Sequence, residues 1–290
     1  MIKIFIGNQS DKKIGGGFRF IENFKKVLGG KIELVERLED CNIFFIPSSS
    51  MIKDTEIVER AKIMDKRIIL RVDNVLRDSR NRGCGMGRMK RIAEISDKII
   101  YQSHWARNYL SDFLCKNGAV IHNGCDLSIF NPDGEKLPKE EGLGEIYLYS
   151  RYGRDETKCW HEVYYEFQKL YKENSSRKLW IIGNFSPELV KYNFDFFRGE
   201  KFEYFGIIDN AYLMATLYRT ADYLIFPYYN DACSNTYIEA RCCGTKIYMT
   251  KSGATGGTIE LLNKDNIPED FSLEKMGNKY LKLFSEIYCV

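Results

Sequence analysis

The chain has 290 residues, enough for two domains of ordinary size. Hydrophobic residues make up 44% and charged residues 29%, a globular balance, and no apolar run reaches the roughly 20 residues needed to span a membrane. The formal net charge of +3 neither demands nor excludes an anionic partner, and no nucleic-acid partner is expected. We expect a cytoplasmic protein with at most peripheral membrane contact, whose opening residues form a strand and not a signal peptide.

The nine cysteines are scattered along the chain, with no CxxC pair and no zinc spacing. We interpret them as reduced thiols that pack as small hydrophobic residues. Cys159 and His161 lack the additional ligands that a metal site needs, so no metal is expected.

Short apolar runs alternate with amphipathic segments in the first half of the chain, the pattern of βαβ units with a parallel sheet. Strands are predicted over 2–7, 41–48, 67–73, 97–103 and 119–124. Helices are predicted over 18–29, 54–65 and 104–114. A segment rich in Gly, Glu, Lys and Pro over 131–145 is interpreted as a linker between two domains.

The same alternation starts again after the linker. Strands are predicted over 146–151, 178–183, 202–206, 222–228 and 246–250. Helices are predicted over 161–173, 210–221, 235–244 and 273–288, with Gly244 at the end of the third of these. The fold class is therefore α/β, with two doubly wound domains over 1–135 and 136–272, and a C-terminal helix within 273–290 that can pack back on the first domain. Ligands of such sheets bind beyond the carboxyl ends of the strands, so the cleft between the domains is the expected site.

One motif, "DACSNTYIE" (231–239), places two acids around a short run of small polar residues. A helix that begins near Asn235 presents amides without intrahelical partners, and Ser234, Asn235 and Thr236 let a phosphate approach them. Glu239 lies about 6 Å further along the axis on the same face, within reach of a ribose, and Asp231 precedes the helix on the side of a donor sugar. Two acids that stabilise a helix start without any ligand would give the same pattern.

The segment 217–250 resembles the donor-binding segment of the retaining glycosyltransferases of the large family four, which have the GT-B fold. It contains a Tyr, an Ala-Asp, a strand ending in Pro, an acid, seven residues and a Glu. The first acid of the family is usually Glu, and Asp231 is one methylene shorter. "VIHNGCDLSIFNP" (120–132), with Asn123 and Gly124, is similar to the hinge signature of the family. The resemblance implies two Rossmann-like domains that face each other across a cleft.

The resemblance also implies further donor contacts. Three glycines after the first strand match a loop that contacts the donor diphosphate: Gly15, Gly16 and Gly17. Arg151 and Lys158 match an Arg and a downstream Lys that clamp the diphosphate, and Arg154 is an alternative for the Arg. Asp73 stands where the family often has a His near the reacting sugar.

Basic residues crowd the stretch that follows Asp73: Arg77, Arg80, Arg82, Arg88, Lys90 and Arg91. Two interpretations stay open, a solvated loop and a mobile flap for an anionic acceptor or the donor phosphates. No interleaved aromatic residues support nucleic-acid binding.

The function that these residues and the resemblance predict is transfer of a sugar, a hexose, from a nucleoside diphosphate sugar to an acceptor hydroxyl, with retention of configuration and without a cofactor or metal. The acceptor is a carbohydrate or a glycolipid. Two alternatives remain, a sugar-nucleotide-binding pseudoenzyme and a nucleotide-sugar epimerase with the same fold.

Overall fold

The computed structural model describes residues 1–9, 16–73, 75, 85–152, 159–184, 201–227, 231–250, 256–262 and 267–288. The chain divides into two compact units. The first unit comprises Met1–Gly124, Glu260–Asn263 and Asp270–Val290, and the second comprises Cys125–Ile259 and Lys264–Glu269. The division at Gly124 falls ahead of the limit at 135 given above, and the limits of the independently folding domains stay a prediction.

Strands of the first unit form one parallel sheet: β1 Lys3–Ile6, β2 Glu33–Val35, β3 Ile43–Ile46, β4 Arg67–Val72, β5 Lys98–Tyr101 and β6 Ala119–Val120. Their order is β2-β1-β3-β4-β5-β6. β3 is buried at every position because helices cover both faces of a parallel sheet, and it reads in sequence as an uninterrupted apolar run.

Strands of the second unit form a second parallel sheet: β7 Ile146–Tyr152, β8 Lys178–Gly183, β9 Phe202–Gly206, β10 Tyr223–Phe226 and β11 Lys246–Met249. Their order is β11-β10-β7-β8-β9. The core beside this sheet is rich in aromatic residues, with Tyr149, Trp160 and Phe167 packed against Ile181 and Ile225.

The α-helices of the described residues are, in chain order, α1 Gly16–Leu28, α2 Glu56–Ile63, α3 Gly85–Ile95, α4 His104–Leu114, α5 Trp160–Glu173, α6 Ala211–Thr220, α7 Asn235–Cys242, α8 Ile259–Leu262, α9 Ile267–Asp270 and α10 Leu273–Tyr288. α1 buries Phe20, Phe24 and Leu28, which recur every four residues and so share one face. The rings of Phe24 and Phe45 stack at 5.0 Å, and Tyr280 and Phe284 of α10 pack edge-on against them. α10 is therefore part of the core of the first unit.

Several elements differ from the sequence-based expectation. β2, α3, α8 and α9 had not been predicted, and the predicted strand over 119–124 pairs only at Ala119 and Val120. Residues 121–124 leave the sheet, and this segment carries the hinge signature.

In the described residues, we find no helix whose length and apolar character would let it cross a membrane.

Candidate functional site

The second sheet reverses its strand order between β7 and β10. β8 and β9 lie on one side of β7, and β10 and β11 lie on the other. Such a reversal in an open parallel sheet leaves a crevice at the carboxyl ends of the two strands, where ligands bind. Ser150 lies near the carboxyl end of β7, and the chain beyond β10 continues to Asp231 and α7. The two acids of the sequence motif therefore lie close in the chain to the reversal point.

The start of α7 is capped at two of its amides. Ser234 is the N-cap, and its Oγ accepts a hydrogen bond from the amide of Tyr237 at 3.3 Å. The Ser234 amide itself donates to Oγ1 of Thr258 at 3.2 Å. Within the described part of the chain, the amides of Asn235 and Thr236 have no hydrogen-bond acceptor. These two N–H groups, at the positive end of the helix, form a place where an anion can bind.

Asp231 lies before α7 and is half-buried. Its Oδ1 accepts a hydrogen bond from the Cys233 amide at 3.1 Å, a local turn that fixes the side chain relative to the helix start. Its backbone oxygen accepts a hydrogen bond from the Gly257 amide at 2.6 Å, and Asp231 also pairs with Gly256 in an isolated parallel bridge. The side chain of Asp231 is thus held by its own turn, and its backbone is held by the segment that contains Gly256 and Gly257.

Glu239 lies one helical turn beyond Asn235 on α7 and is half-buried. Burial, and then the Glu239 carboxylate, raise the pKa of Tyr218 well above its usual range. Burial raises the pKa of the Cys243 thiol to about 12, and the same carboxylate adds to this effect. Glu239 therefore lies beside hydroxyl and thiol groups that stay protonated and neutral near pH 7.

A hydroxyl network under α7 had not been predicted. Tyr218 is buried, its OH lies 3.3 Å from Oγ of Ser150, and the side chain of Thr236 also lies near this hydroxyl. It thus joins the carboxyl end of β7 to the first turn of α7. The sequence contained both residues of this network. Tyr218 is the Tyr of the donor-segment pattern, to which no role was assigned, and Ser150 directly precedes Arg151.

The candidate diphosphate clamp lies mostly outside the described residues. Arg154 and Lys158 fall there, and for Arg151 the structure describes only the backbone, as a residue of β7 near its carboxyl end. Their roles stay predictions.

In the first unit, Gly16 and Gly17 form the first turn of α1, and Gly15 lies outside the described residues. A Cβ on Gly17 would lie 2.6 Å from Cε of Met51 and 3.9 Å from Oδ2 of Asp73. Asp73 directly follows β4 and is half-buried. The fold thus brings the start of α1 close to Asp73, two features that lie more than fifty residues apart in sequence.

Asn123 is held by a buried arginine that sequence reasoning missed. Arg71, on β4, is 2% exposed, donates to Oδ1 of Asn123 at 2.7 Å and to the Pro47 oxygen at 3.1 Å, and lies 3.9 Å above the Phe20 ring. A lone Arg inside an apolar strand offered no partner in the sequence, because Asn123 lies 52 residues away.

Gly124 packs against α10. A Cβ on Gly124 would lie 2.9 Å from Cβ of Met276 and 3.0 Å from the Leu273 Cα, so only glycine fits without displacing the helix. The hinge residues are therefore fixed by contacts within the first unit.

Part of the basic stretch is helical, so its interpretation as a loop is wrong for residues 85–91. α3 buries Met86, Met89, Ile92 and Ala93 on one face, and this spacing was obscured by glycines at positions 85 and 87. Arg91 pairs with Glu59, and Nζ of Lys90 lies 5.6 Å from the centre of the Phe113 ring. Arg77, Arg80 and Arg82 lie outside the described residues.

A second helix start, that of α4, is fully capped by the protein. Oγ of Ser103 accepts a hydrogen bond from the Ala106 amide at 3.0 Å. The carboxylate of Glu260 accepts one from the His104 amide at 3.0 Å and another from the Trp105 amide. This helix start is occupied by a carboxylate of the chain itself.

Among the residues that the structure describes, no group of three or more His, Cys, Asp or Glu side chains is placed to hold a metal ion. The cysteines described are free thiols, and most of them are buried.

No family model matches the chain, and no curated protein matches it in sequence. Solved structures do match. Anabaena HepE in complex with UDP and glucose has a TM-score of 0.72 at 12% identity, covering 99% of this chain and 100% of its own. Sucrose-phosphate synthase from Thermosynechococcus elongatus has a TM-score of 0.74 at 14% identity, with both chains fully covered. The lipopolysaccharide outer core galactosyltransferase WaaB has a TM-score of 0.63 at 13% identity, covering 99% of this chain and 100% of its own.

At these identities the likeness shows the fold alone. Two parallel-sheet α/β units matched over their full length by such structures establish that the chain has the GT-B fold.

Proposed function

We propose that this protein is a glycosyltransferase that moves a sugar from a nucleoside diphosphate sugar to an acceptor hydroxyl, with retention of configuration. The observation that carries this proposal is the start of α7, where two amides without acceptors in the described chain lie between Asp231 and Glu239. Two of the structural neighbours support it, because HepE is a complex with UDP and glucose and WaaB is a galactosyltransferase.

The donor is proposed to bind with its diphosphate at the amides of Asn235 and Thr236. A helix start carries about half a positive charge, which favours an anion at this position. Glu239, one turn further on, accepts hydrogen bonds from the two ribose hydroxyls, because a carboxylate offers acceptor oxygens without donors. Asp231, on the other side of the diphosphate, orients the sugar.

The chemical barrier in this proposal is departure of the diphosphate from a sugar with oxocarbenium character. Charge that develops on the leaving group is stabilised by preorganised donors, usually the largest catalytic effect. The proposed donors are the α7 amides, the glycines that precede Phe18, and the side chains of Arg151, or Arg154, and Lys158. The departing phosphate oxygen takes the proton of the acceptor hydroxyl, so the proposed reaction uses no separate side-chain base. The donors named above stabilise the leaving diphosphate in place of a metal ion.

Five finer points belong to the same proposal. Membership of family four rests on the donor-segment and hinge resemblance, and a hexose is the proposed sugar. The acceptor is a carbohydrate or a glycolipid, with Asp73 beside the reacting sugar. The proposed location is the cytoplasm, where nucleotide sugars are available as donors.

A donor panel tests the proposal. The protein is incubated with UDP-glucose, UDP-galactose, GDP-mannose and ADP-glucose in the presence of EDTA, and binding and slow hydrolysis are followed by calorimetry and chromatography. Release of a nucleoside diphosphate and free sugar from one donor supports a metal-independent transferase. Tight binding without turnover indicates a pseudoenzyme, an isomerised donor indicates an epimerase, and no binding of any donor overturns the proposal.

Two variants make this test specific to the site. Asp231→Asn removes the charge proposed to orient the sugar, and we expect it to lower hydrolysis while the affinity for the nucleoside diphosphate is kept. Glu141→Gln makes the same charge change at an exposed position of the second unit and serves as the control. Equal hydrolysis by wild type and Asp231→Asn would remove Asp231 from the mechanism.

A further inference from the structure

Thr258 is a fully buried threonine whose side chain reaches the start of α7 from a distant part of the chain. It is 0% exposed, and its Oγ1 accepts the hydrogen bond from the Ser234 amide, 24 residues away in sequence. The two residues before it, Gly256 and Gly257, pair with the backbone of Asp231. The segment Gly256–Thr258 therefore contacts both the residue before the helix and the N-cap.

The bond to Thr258 determines how the N-cap residue is oriented. Ser234 is itself buried, so its amide needs a protein acceptor, because water does not reach it. With the amide directed at Thr258, Oγ of Ser234 turns to the Tyr237 amide. The two amides between these bonded positions, those of Asn235 and Thr236, are then held in one orientation.

We propose that Thr258 is a positioning residue for the diphosphate of the donor. This inference rests on the proposed function and assigns a cause to its central geometry. The Thr258 hydroxyl does not touch the ligand. It holds the N-cap residue Ser234, and this orients the amides of the next two residues, Asn235 and Thr236, toward the phosphate. Loss of the hydroxyl leaves a buried amide without an acceptor, and the first turn shifts to find another one.

Specific variants separate this role from general stability. Thr258→Val keeps the side-chain shape and removes the acceptor, and Thr258→Ser keeps the hydroxyl. Thr220→Val is the matched control, because Thr220 is also buried and its Oγ1 also accepts a backbone amide, that of Leu137 at 2.8 Å. Thr220 ends α6 and precedes β10, so it lies near the amino end of that strand, whereas α7 begins beyond the carboxyl end.

The probes are a nucleoside diphosphate that wild type binds and the corresponding nucleoside, measured by calorimetry and ligand-observed NMR. We expect Thr258→Val to lower the affinity for the nucleoside diphosphate about tenfold and the affinity for the nucleoside by less than about twofold. Thr258→Ser and Thr220→Val are expected to bind both probes within about twofold of wild type. A diphosphate affinity unchanged in Thr258→Val, or an equal loss for both probes, overturns the positioning role.

Hydrogen exchange on wild type keeps the test valid if Thr258→Val does not fold. The diphosphate should slow exchange in peptides covering both 231–238 and 256–262, and protection of the first peptide alone overturns the inference. If wild type binds no nucleoside diphosphate, the proposed function fails and the positioning role fails with it. If wild type binds the nucleoside diphosphate and Thr258→Val binds it with the same affinity, the proposed function stands and Thr258 has no part in it.

Discussion

The starts of α4 and α7 show two uses of the same local structure. Each helix follows a parallel strand. Each has a serine N-cap whose Oγ accepts a hydrogen bond from the backbone amide three residues further on. At α4 the next two amides donate to the carboxylate of Glu260. At α7 the corresponding amides have no acceptor in the described part of the chain.

This difference separates a helix start that stabilises the fold from one that can bind a ligand. The positive end of a helix attracts any anion, and at α4 a glutamate of the protein already occupies that place. Glu260 has a second neighbour, His122, whose Nε2 lies 3.6 Å from the carboxylate. The comparison predicts that changes at α4 affect stability and that changes at α7 affect nucleotide affinity.

The largest effect is expected for Glu239→Ala. Two hydrogen bonds from ribose hydroxyls to a carboxylate are lost, which corresponds to at least about 2 kcal/mol, or a more than tenfold weaker affinity for the nucleoside diphosphate. Isothermal calorimetry measures the affinity, and Glu141→Ala, an exposed acid of the same unit, is the control. An affinity equal to that of wild type would remove Glu239 from the donor site.

The second effect concerns Glu260→Ala, which leaves two first-turn amides of α4 without their acceptor. We expect the free energy of unfolding to fall by about 1–3 kcal/mol, while the nucleotide affinity is unchanged. Urea unfolding measures the stability, and Glu36→Ala, an exposed acid of the first unit, is the matched control. A loss of affinity at full stability would contradict the distinction between the two helix starts.

A smaller and paired effect is expected for the N-cap serines. Ser103→Ala and Ser234→Ala each remove one cap and should each lower the free energy of unfolding by about 1 kcal/mol. Only Ser234→Ala should also weaken binding of the nucleoside diphosphate. Parallel unfolding and binding measurements on the two variants compare the sites directly, and equal binding by both would show that the α7 start is only structural.

The smallest effect is expected for Tyr218→Phe. It removes one buried hydroxyl that lies 3.3 Å from Oγ of Ser150, at a cost of about 0.5–1.5 kcal/mol of stability. Thermal unfolding is the measurement, and Tyr165→Phe on the exposed face of α5 is the control. A stability loss no larger than that of the control would show that the network contributes nothing.

Local patterns allowed much of the fold to be predicted. The helices over 104–114 and 273–288 and the strands over 178–183 and 202–206 were predicted with the limits that the structure shows. Each has a strong local signal, such as the N-cap Ser103 or an uninterrupted apolar run. α3 was missed because two glycines near its start suggest a loop, and the buried contacts of Met86 and Met89 outweigh this local preference.

For the candidate site, the helix start, Asp231 and Glu239 could be found because they lie within nine residues of one another. Arg71, Thr258 and Glu260 could not be found in the same way. Their partners lie 52, 24 and about 155 residues away, and no local spacing relates them. Tyr218 is part of the donor-segment pattern in the sequence, but the position of its hydroxyl beside Ser150 is seen only in the fold.

Two parallel α/β sheets and a helix that begins at Asn235 between two acids could be predicted from the residues alone. These features follow from periodicity and capping, which act over a few residues. It is the folded chain that determines which helix start is filled by a carboxylate of the protein and which keeps two amides without an acceptor in the described part of the chain. That choice depends on a carboxylate or hydroxyl delivered from a distant segment, and long-range packing alone brings such a group to a given amide.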